Sequence, residues 1–345
     1  MKGRRIVLDH LGARPAAALM VDGRLDDLLI DDEGTRPGAI FRGICDRPMK
    51  GQGGMFLRLA GGQRGFLRGA SGLKPGQPLL VQVTGIAEPG KAIPVTERLL
   101  FKSRLVIVTP GAPGINISRA IKGEEERARL RIAAEEATDG AHGLILRSAA
   151  ETAEEEEIAE DIATMEALAA AVLADAEGSE PEALTEGDGP HELAWRDWSA
   201  PEVVTEPGGF VREGVLDAIA MLESADVDLG EGFLSIEPTR ALVAVDVNTG
   251  GDTTPAAALK ANLAAARALP RQLRLRGLGG QIAVDFAPMP KSQRKQLEQS
   301  LRASFKADAI ETSLVGWTQM GLYELQRKRE RAPMAPILAG LREHL

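Results

Sequence analysis

The chain has one cysteine, Cys45, among 345 residues. A single thiol cannot close an internal disulfide, and no Cys-x-x-Cys pair exists to hold a structural zinc. No apolar run approaches the ~18 residues needed to span a bilayer. The opening, Met1-Lys2-Gly3-Arg4-Arg5-Ile6, leads into an apolar stretch cut by Asp9, His10 and Arg14, unlike a secretory signal. There is no excess of positive charge either. The net charge of −9 argues at first against a nucleic-acid partner. The expectation from these absences is a soluble protein of the reducing cytoplasm, without a membrane. What is present is ordinary for a globular protein: 44% hydrophobic and 26% charged residues. At ~150 residues per domain, the length predicts two or three domains.

The charge is unevenly spread. Residues 121–206 hold 24 Asp/Glu against 6 Lys/Arg, while 267–345 hold 14 Lys/Arg against 7 Asp/Glu. This fits a basic working surface beside an acidic accessory region. Composition alone equally allows a solvated acidic helix on an unrelated enzyme.

Periodicity predicts strands over 4–8 and 16–30, the latter folded at Val21-Asp22-Gly23-Arg24, where Asp-Gly supplies a hairpin's left-handed backbone. Glycine-spaced runs over 38–100 predict a small barrel of about five short strands. Phe56 and Phe66 flank one of its hairpins, with Arg58, Arg64 and Arg68 interleaved. Such phenylalanines either fill the barrel core or stack bases on its open face, where cations track phosphates. Further on, a strand at 105–108, an acidic helix over 124–136, a strand at 143–146, a helix over 151–177 and a loop over 178–190 are expected. The segment 191–207 reads as one strand and a turn, and the three tryptophans, Trp195, Trp198 and Trp317, are expected as core or inter-subdomain packing. Residues 210–345 read as α/β. A helix spans 211–223, strands lie at 234–237, 241–247 and 281–286, and a helix over 254–275 is interrupted at Pro270. A basic amphipathic helix spans 291–306. The near-continuous apolar strands predict a sheet covered on both faces.

Two of those strands end in an aspartate, Asp246 and Asp285. Charged side chains rarely sit in such strands unless paired or metal-bound. A strand period of two puts Asn248 on the same side as Asp246. If the strands are neighbours, Asp285 joins them at one edge. Two carboxylates and an amide oxygen form a hard oxygen set suited to magnesium, which keeps several waters and accepts a substrate phosphate. An aspartate after a strand also serves as a turn or helix cap, and that alternative stands beside the metal one.

Five segments together resemble the catalytic core of the ribonuclease E/G family. They are Ala241-Leu242-Val243-Ala244-Val245-Asp246-Val247-Asn248-Thr249-Gly250-Gly251, Asn262-Leu263 with Ala264-Ala265-Ala266, Arg271-Gln272-Leu273-Arg274-Leu275-Arg276-Gly277-Leu278-Gly279-Gly280, Ile282-Ala283-Val284-Asp285-Phe286, and Gly321-Leu322-Tyr323-Glu324-Leu325-Gln326-Arg327-Lys328-Arg329. The resemblance covers nearly the whole chain. It implies an α/β multidomain fold, with an RNase H-like plus DNase I-like catalytic core, an inserted OB-fold β-barrel and an α/β 5′-sensor-like subdomain. The implied boundaries are 1–35 and 191–221 for the RNase H-like segments, the second trimmed, 36–103 for the barrel, 104–190 for the sensor and 222–345 for the DNase I-like part.

By the same resemblance, Asp246 and Asp285 bind Mg2+, for which Mn2+ substitutes, and Asn248 orients the aspartates or the scissile phosphate. Phe56, Phe66 and Lys91 contact single-stranded RNA. Arg119, Arg147 and Ser148 sense a 5′-monophosphate, although as surface cations Arg119 and Arg147 would equally pair with the acidic helices. The implied activity is endonucleolytic hydrolysis of single-stranded RNA to 5′-phosphate and 3′-hydroxyl ends. The alternative is an RNA-binding relative with weak or lost cleavage. The chain departs from the family in several places. No Cys-Pro-x-Cys follows Arg329, so neither structural zinc nor a zinc-linked dimer is expected. The 201–233 segment is short, and Pro288 stands where the family has a second aspartate. Glu151 adds a repelling charge near Ser148. A C-terminal scaffold tail is not expected after Leu345.

Overall fold

The computed structural model describes residues 3–49, 51 and 53–343. The chain forms two compact units, one of the residues up to Glu33 with those from Trp198 onward, the other Gly34–Asp197. The first unit opens with β1 (Arg4–Leu11), β2 (Arg14–Val21) and β3 (Arg24–Ile30), an antiparallel meander. Asp22 and Gly23 adopt the left-handed backbone (φ 49° and 77°) that a two-residue hairpin requires.

In the second unit, β4 (Ile40–Pro48), β5 (Gly54–Arg58), β6 (Arg64–Arg68), β7 (Pro78–Val83) and β8 (Ile93–Thr96) run in the order β4-β5-β6-β8-β7. Pairing of β4 with β7 closes them into a five-stranded barrel, consistent with an OB-fold. Met55, Leu57, Leu67, Val81, Val83 and Val95 fill it. A second, four-stranded sheet follows. It contains β9 (Phe101–Lys102), β10 (Val106–Thr109), β11 (Ile115–Ile117) and β12 (Gly143–Leu146), with α1 (Glu124–Ala137) and α2 (Glu155–Ala174). Leu130, Ile158 and Ile162 of the helices share one core with Val106, Val108, Leu144 and Leu146 of the strands. The expected loop over 178–190 contains a strand instead, β13 (Glu182–Thr185), which adds to the barrel edge beside β4. After it comes α3 (Pro190–Asp197), a helix where the sequence suggested a strand. Its proline start is favourable at a first helical turn.

The first unit resumes with β14 (Glu202–Val204), parallel to β1. One helix was expected over 211–223. Two short ones form, α4 (Gly209–Arg212) and α5 (Val215–Met221), because Gly214 at φ 71° breaks the run. Then come β15 (Asp226–Asp228), β16 (Phe233–Pro238), β17 (Val243–Asn248), α6 (Pro255–Leu275), β18 (Gly280–Asp285), α7 (Lys291–Lys306), β19 (Thr312–Trp317), β20 (Tyr323–Arg327) and α8 (Met334–Glu343). The six strands form one sheet, β15-β16-β17-β18-β20-β19. Pro270 does not interrupt α6; the helix continues through it. An interior proline costs about 3 kcal/mol or more. Pro270 and its neighbours Ala266, Leu269 and Leu273 are buried, and this packing opposes that cost.

The expectation of a sheet covered on both faces is corrected. Val243, Val245, Val247, Ile282 and Val284 pack with Leu269 and Leu273 of α6 and Leu297, Leu301 and Phe305 of α7 on one face. The residues between them point the other way, where Asp246, Gln281, Asp285, Glu324 and Gln326 are exposed. Apolar side chains at every second position, with alanines between them, read in the sequence like a continuous apolar run.

The Arg271–Gly280 segment, the most specific sequence signal, is structural. Arg271 donates to the Leu25 carbonyl at 2.9 Å and Arg274 to the Asp26 carbonyl at 2.8 Å. Arg274 also pairs with Asp308, which pairs in turn with Arg327 at 2.7 Å. Arg331 and Arg274 both hold Asp27. Burial alone would raise the Asp27 carboxyl; the charges and hydrogen bonds of these arginines outweigh it and hold it below the usual carboxylate range. The network ties β3 to α6, to the turn after α7 and to the segment after β20. Gly277, at φ 64°, admits the 332–333 backbone where any Cβ would strike the Ala332 carbonyl.

Candidate functional site

Strands β17 and β18 are parallel neighbours in which Asp246 pairs with Asp285. Register partners in adjacent strands point to the same side, with strands ~4.8 Å apart, so both carboxylates stand side by side on the open face. Asn248 donates its side-chain amide to Asp246 Oδ2 at 2.6 Å, which fixes that carboxylate and leaves Oδ1 free to coordinate. Neither aspartate is ion-paired with a Lys or Arg among the described residues. The strand before them is held close: Gly232, at φ 133°, sits where a Cβ would drive into the Asn248 carbonyl. After β17 the chain turns through Gly250 at φ 66°. Asp252 then accepts from the Thr254 amide, and Thr254 caps α6 by accepting from Ala257.

The donor set is two exposed carboxylates with an amide beside them. It fits a hard divalent ion that keeps most of its water. No group of three or more His, Cys, Asp or Glu that could hold an ion occurs among the described residues, so water and substrate oxygens would complete any coordination. Pro288 is exposed in the irregular segment between β18 and α7.

Sequence reasoning missed two residues here. Asn262 on α6 is fully buried; its amide donates to the Ala287 carbonyl and its oxygen accepts from the Ala287 N–H, both at 2.9 Å. It clamps the backbone two residues beyond Asp285. The available signal was a polar residue on the apolar stripe of α6, between Ala258 and Ala265. Glu324 is exposed on the same sheet face, opposite Ala283 and so diagonal to Asp285. The strand alternation of Tyr323-Glu324-Leu325 would have found it.

On the barrel, Phe56 and Phe66 are direct partners across β5 and β6, with ring centroids 5.1 Å apart. They alternate with core residues Met55, Leu57 and Leu67 and therefore face outward, which decides between core and surface. Arg58, Arg64 and Arg68 share their side of the ribbon and are exposed, and Arg58 lies directly opposite Arg64. Like charges in direct opposition cost stability unless an anion lies between them. The Arg47 guanidinium is 5.6 Å from the centre of the Phe56 ring. Lys91 stands in the loop between β7 and β8 and pairs with Glu88 at 2.6 Å.

Strands β11 and β12 are also parallel, with Ile117 beside Leu146. Their C-terminal ends therefore bring Arg119, Arg147 and Ser148 to one edge. Arg119 and Ser148 are exposed. Arg147 is engaged: it donates to the Ser103 carbonyl at 2.5 Å, the Arg196 carbonyl at 3.2 Å and Asp197 at 2.6 Å. Burial would raise the Asp197 carboxyl, yet Arg196 and then Arg147 hold it below the usual range. Arg127, also missed by the sequence, donates to the Ser118 and Ile121 carbonyls and fixes the turn that carries Arg119. Of the tryptophans expected in a core or between subdomains, Trp195 is 58% exposed with Arg104 over its ring and fills no core, whereas Trp198 is buried and Trp317 packs with Phe286 and Tyr323.

No helix among the described residues is long and apolar enough to cross a membrane. Residues 101–205 and 203–330 match the Ribonuclease E/G family. Ribonuclease E of Nostoc sp. (strain PCC 7120) is 30% identical over 91% of this chain and 54% of its own length. Ribonuclease E of Synechocystis sp. (strain PCC 6803) is 29% identical over 91% and 55%. Ribonuclease G of Escherichia coli K12 is 27% identical over 92% and 78%. The chain thus spans about half the length of the first two relatives and most of the third. With a match running through 101–330, the chain belongs to the ribonuclease E/G family.

Proposed function

We propose that the chain is an endoribonuclease that cleaves single-stranded RNA by magnesium-dependent hydrolysis. The observation that carries this reading is the pairing of Asp246 with Asp285 on an open sheet face, with no Lys or Arg ion-paired to either among the described residues, in a member of this family. Asp246 and Asp285 would hold the ion, with manganese able to replace magnesium, and Asn248 would keep Asp246 oriented. A bound divalent ion supplies Lewis acidity and lowers the pKa of water. Water adds to phosphorus in line with the 3′-oxygen, the P–O3′ bond breaks and the 3′-oxygen takes a proton. The products are a 5′-phosphate and a 3′-hydroxyl. The two carboxylates repel bare phosphate, so RNA approach to this face depends on their charge being offset.

Phe56 and Phe66 offer rings for base stacking, worth ~1–3 kcal/mol per base, while Arg58, Arg64 and Arg68 hold phosphates and Lys91 reaches from the adjoining loop. Only unpaired bases can stack there, which favours single strands. In this reading the β1–β3 and β14 sheet is the RNase H-like part and the β15–β20 sheet the DNase I-like part. Arg119, Arg147 and Ser148 would meet a 5′-monophosphate, with Asp197 competing for Arg147. Pro288, standing where the family has a second aspartate, favours a second reading, an RNA-binding relative that cleaves weakly.

The test is cleavage of a short 5′-monophosphorylated oligonucleotide with magnesium, with chelator and in Asp246→Asn. The proposal expects cleavage only in the first case. Equal cleavage in Asp246→Asn would overturn it, and RNA binding without cleavage by the parent chain would leave the second reading.

A further inference from the structure

Helix α7 carries a run of cations that make no ion pair among the described residues. Lys291, Lys295, Arg302 and Lys306 are exposed, and none is ion-paired among the described residues. They recur at helical spacing on one face, separated by exposed Ser292, Gln296, Gln299 and Ala303. The only acid of the helix, Glu298, accepts from the Trp317 indole N–H at 2.8 Å and stands four residues before Arg302, so it can offset one of the four cations at most. Cations four apart repel by a few tenths of a kcal/mol. Lys291 and Lys295 also stand in the first turns of the helix, where its dipole disfavours positive charge. In a chain of net charge −9, this stripe is a local exception whose cost an anionic partner would remove.

We infer that this face of α7 binds the phosphate backbone of the RNA strand cut at Asp246 and Asp285. The inference rests on the proposed function for the identity of the strand. Three features select a polyanion over other partners. A membrane-lying helix needs an exposed apolar face, but Leu297, Leu301 and Phe305 are spent in the core. A protein interface centres on buried aromatic or apolar anchors, and this face has none. Lysine, arginine and glutamine without an aromatic ring bind in a way that follows a backbone and ignores its bases.

Topology gives the stripe its place. The segment 286–290 is all that separates Asp285 from Lys291, so the cations start at the carboxylate end of β18 and lead away from it on the side of the sheet opposite the aspartates, and a strand that meets both must pass round the sheet at 286–290. From Lys291 to Lys306 the helix rises about 22 Å at 1.5 Å per residue. With phosphates ~3.4 Å apart along a stacked strand, that length matches about six nucleotides.

The test uses the full chain carrying Asp246→Asn, without divalent ions, so that single-stranded RNA binds and is not cut. Its affinity is measured from low to moderate salt, with and without Lys295→Gln, Arg302→Gln and Lys306→Gln together. The stripe predicts an affinity loss of about ten-fold or more near 0.1 M salt. It also predicts a salt slope shallower by about 2, since each phosphate of a single strand that is no longer neutralised removes ~0.7 from the slope. A control neutralises three exposed cations of the same unit, Arg212, Arg240 and Lys260. Unchanged affinity and slope in the α7 variant, or an equal loss in the control, overturns the inference. Because nothing is cleaved in this assay, failure of the hydrolase reading shows in the cleavage test and failure of the stripe shows here.

Discussion

The two parallel strand pairs, β11–β12 and β17–β18, end in opposite ways. The first ends in cations, Arg119 and Arg147, and Arg147 is satisfied by Asp197 and two backbone carbonyls. The second ends in two aspartates that have an amide beside them and, among the described residues, no cation paired to them. Both sets of charged residues stand beyond the carboxyl ends of parallel strands, the place where open α/β sheets take their ligands. An edge whose charged group already has an internal partner gains less from a ligand than one whose charges stand unpaired, because a ligand must first displace what is there. By that criterion β17–β18 is the stronger candidate for chemistry, and Arg147 is in the first place a staple that holds α3.

The largest effect that can break this contrast is loss of a carboxylate. Asp285→Asn is expected to lower magnesium-dependent cleavage by at least about a hundred-fold, the scale of removing one group that stabilises transition-state charge. Metal-free RNA affinity should hold or rise. Cleavage within a few-fold of the parent would put the two edges on the same footing.

Next comes the clamp behind Asp285. Asn262→Ala should raise the magnesium concentration for half-maximal cleavage by ~10–100-fold, the usual range for residues that orient metal ligands. Weaker manganese binding by calorimetry without RNA is its second readout. A general loss of fold would instead lower melting temperature and RNA affinity together.

Acid should act where carboxylates are already paired, at Asp197 beside Arg147 and at Asp27 in β3. Asp197 and Asp27 both have folded values below the unfolded one. Their contribution is therefore present above the ordinary carboxylate value of ~3.9 and is lost as pH falls through the depressed folded values. Unfolding followed by circular dichroism should begin below about pH 5, and Asp197→Asn should lose less stability on acidification than the parent. Equal acid sensitivity in both would mean that Asp197 is not held by its arginines. The smallest effect is on specificity. Asp197→Asn frees Arg147, so the preference for a 5′-monophosphate over a 5′-hydroxyl end should rise by a few-fold, and an unchanged ratio would make Arg147 purely structural.

Much of the fold was legible because local chemistry dictated it. Asp22-Gly23 set a hairpin, glycine-spaced apolar runs set a barrel, and the acidic and basic helices kept their periodicity. The errors have common causes. Alternation with alanine at the outward positions hid the open face of the β15–β20 sheet. Pro270 was read by its local cost, but packing carried α6 through it. Strand β13 is made by an edge that only the folded barrel presents. At the site, Asp246, Asn248 and Asp285 were visible as polar ends of apolar strands. Asn262 stood in a segment that carries the family resemblance, but its role was hidden until its partner, Ala287, was brought beside it across 25 residues.

The sequence by itself determined which residues are chemically able to act. Side-chain types and the period of two already place Asp246 with Asn248, and Phe56 with Arg58, on single faces. Tertiary structure alone decided which of these groups stay unpaired. Neutralisation depends on long-range neighbours such as Asp197 beside Arg147 or Arg274 beside Asp27. Those pairings are set by how strands and helices pack and by no local property of the chain.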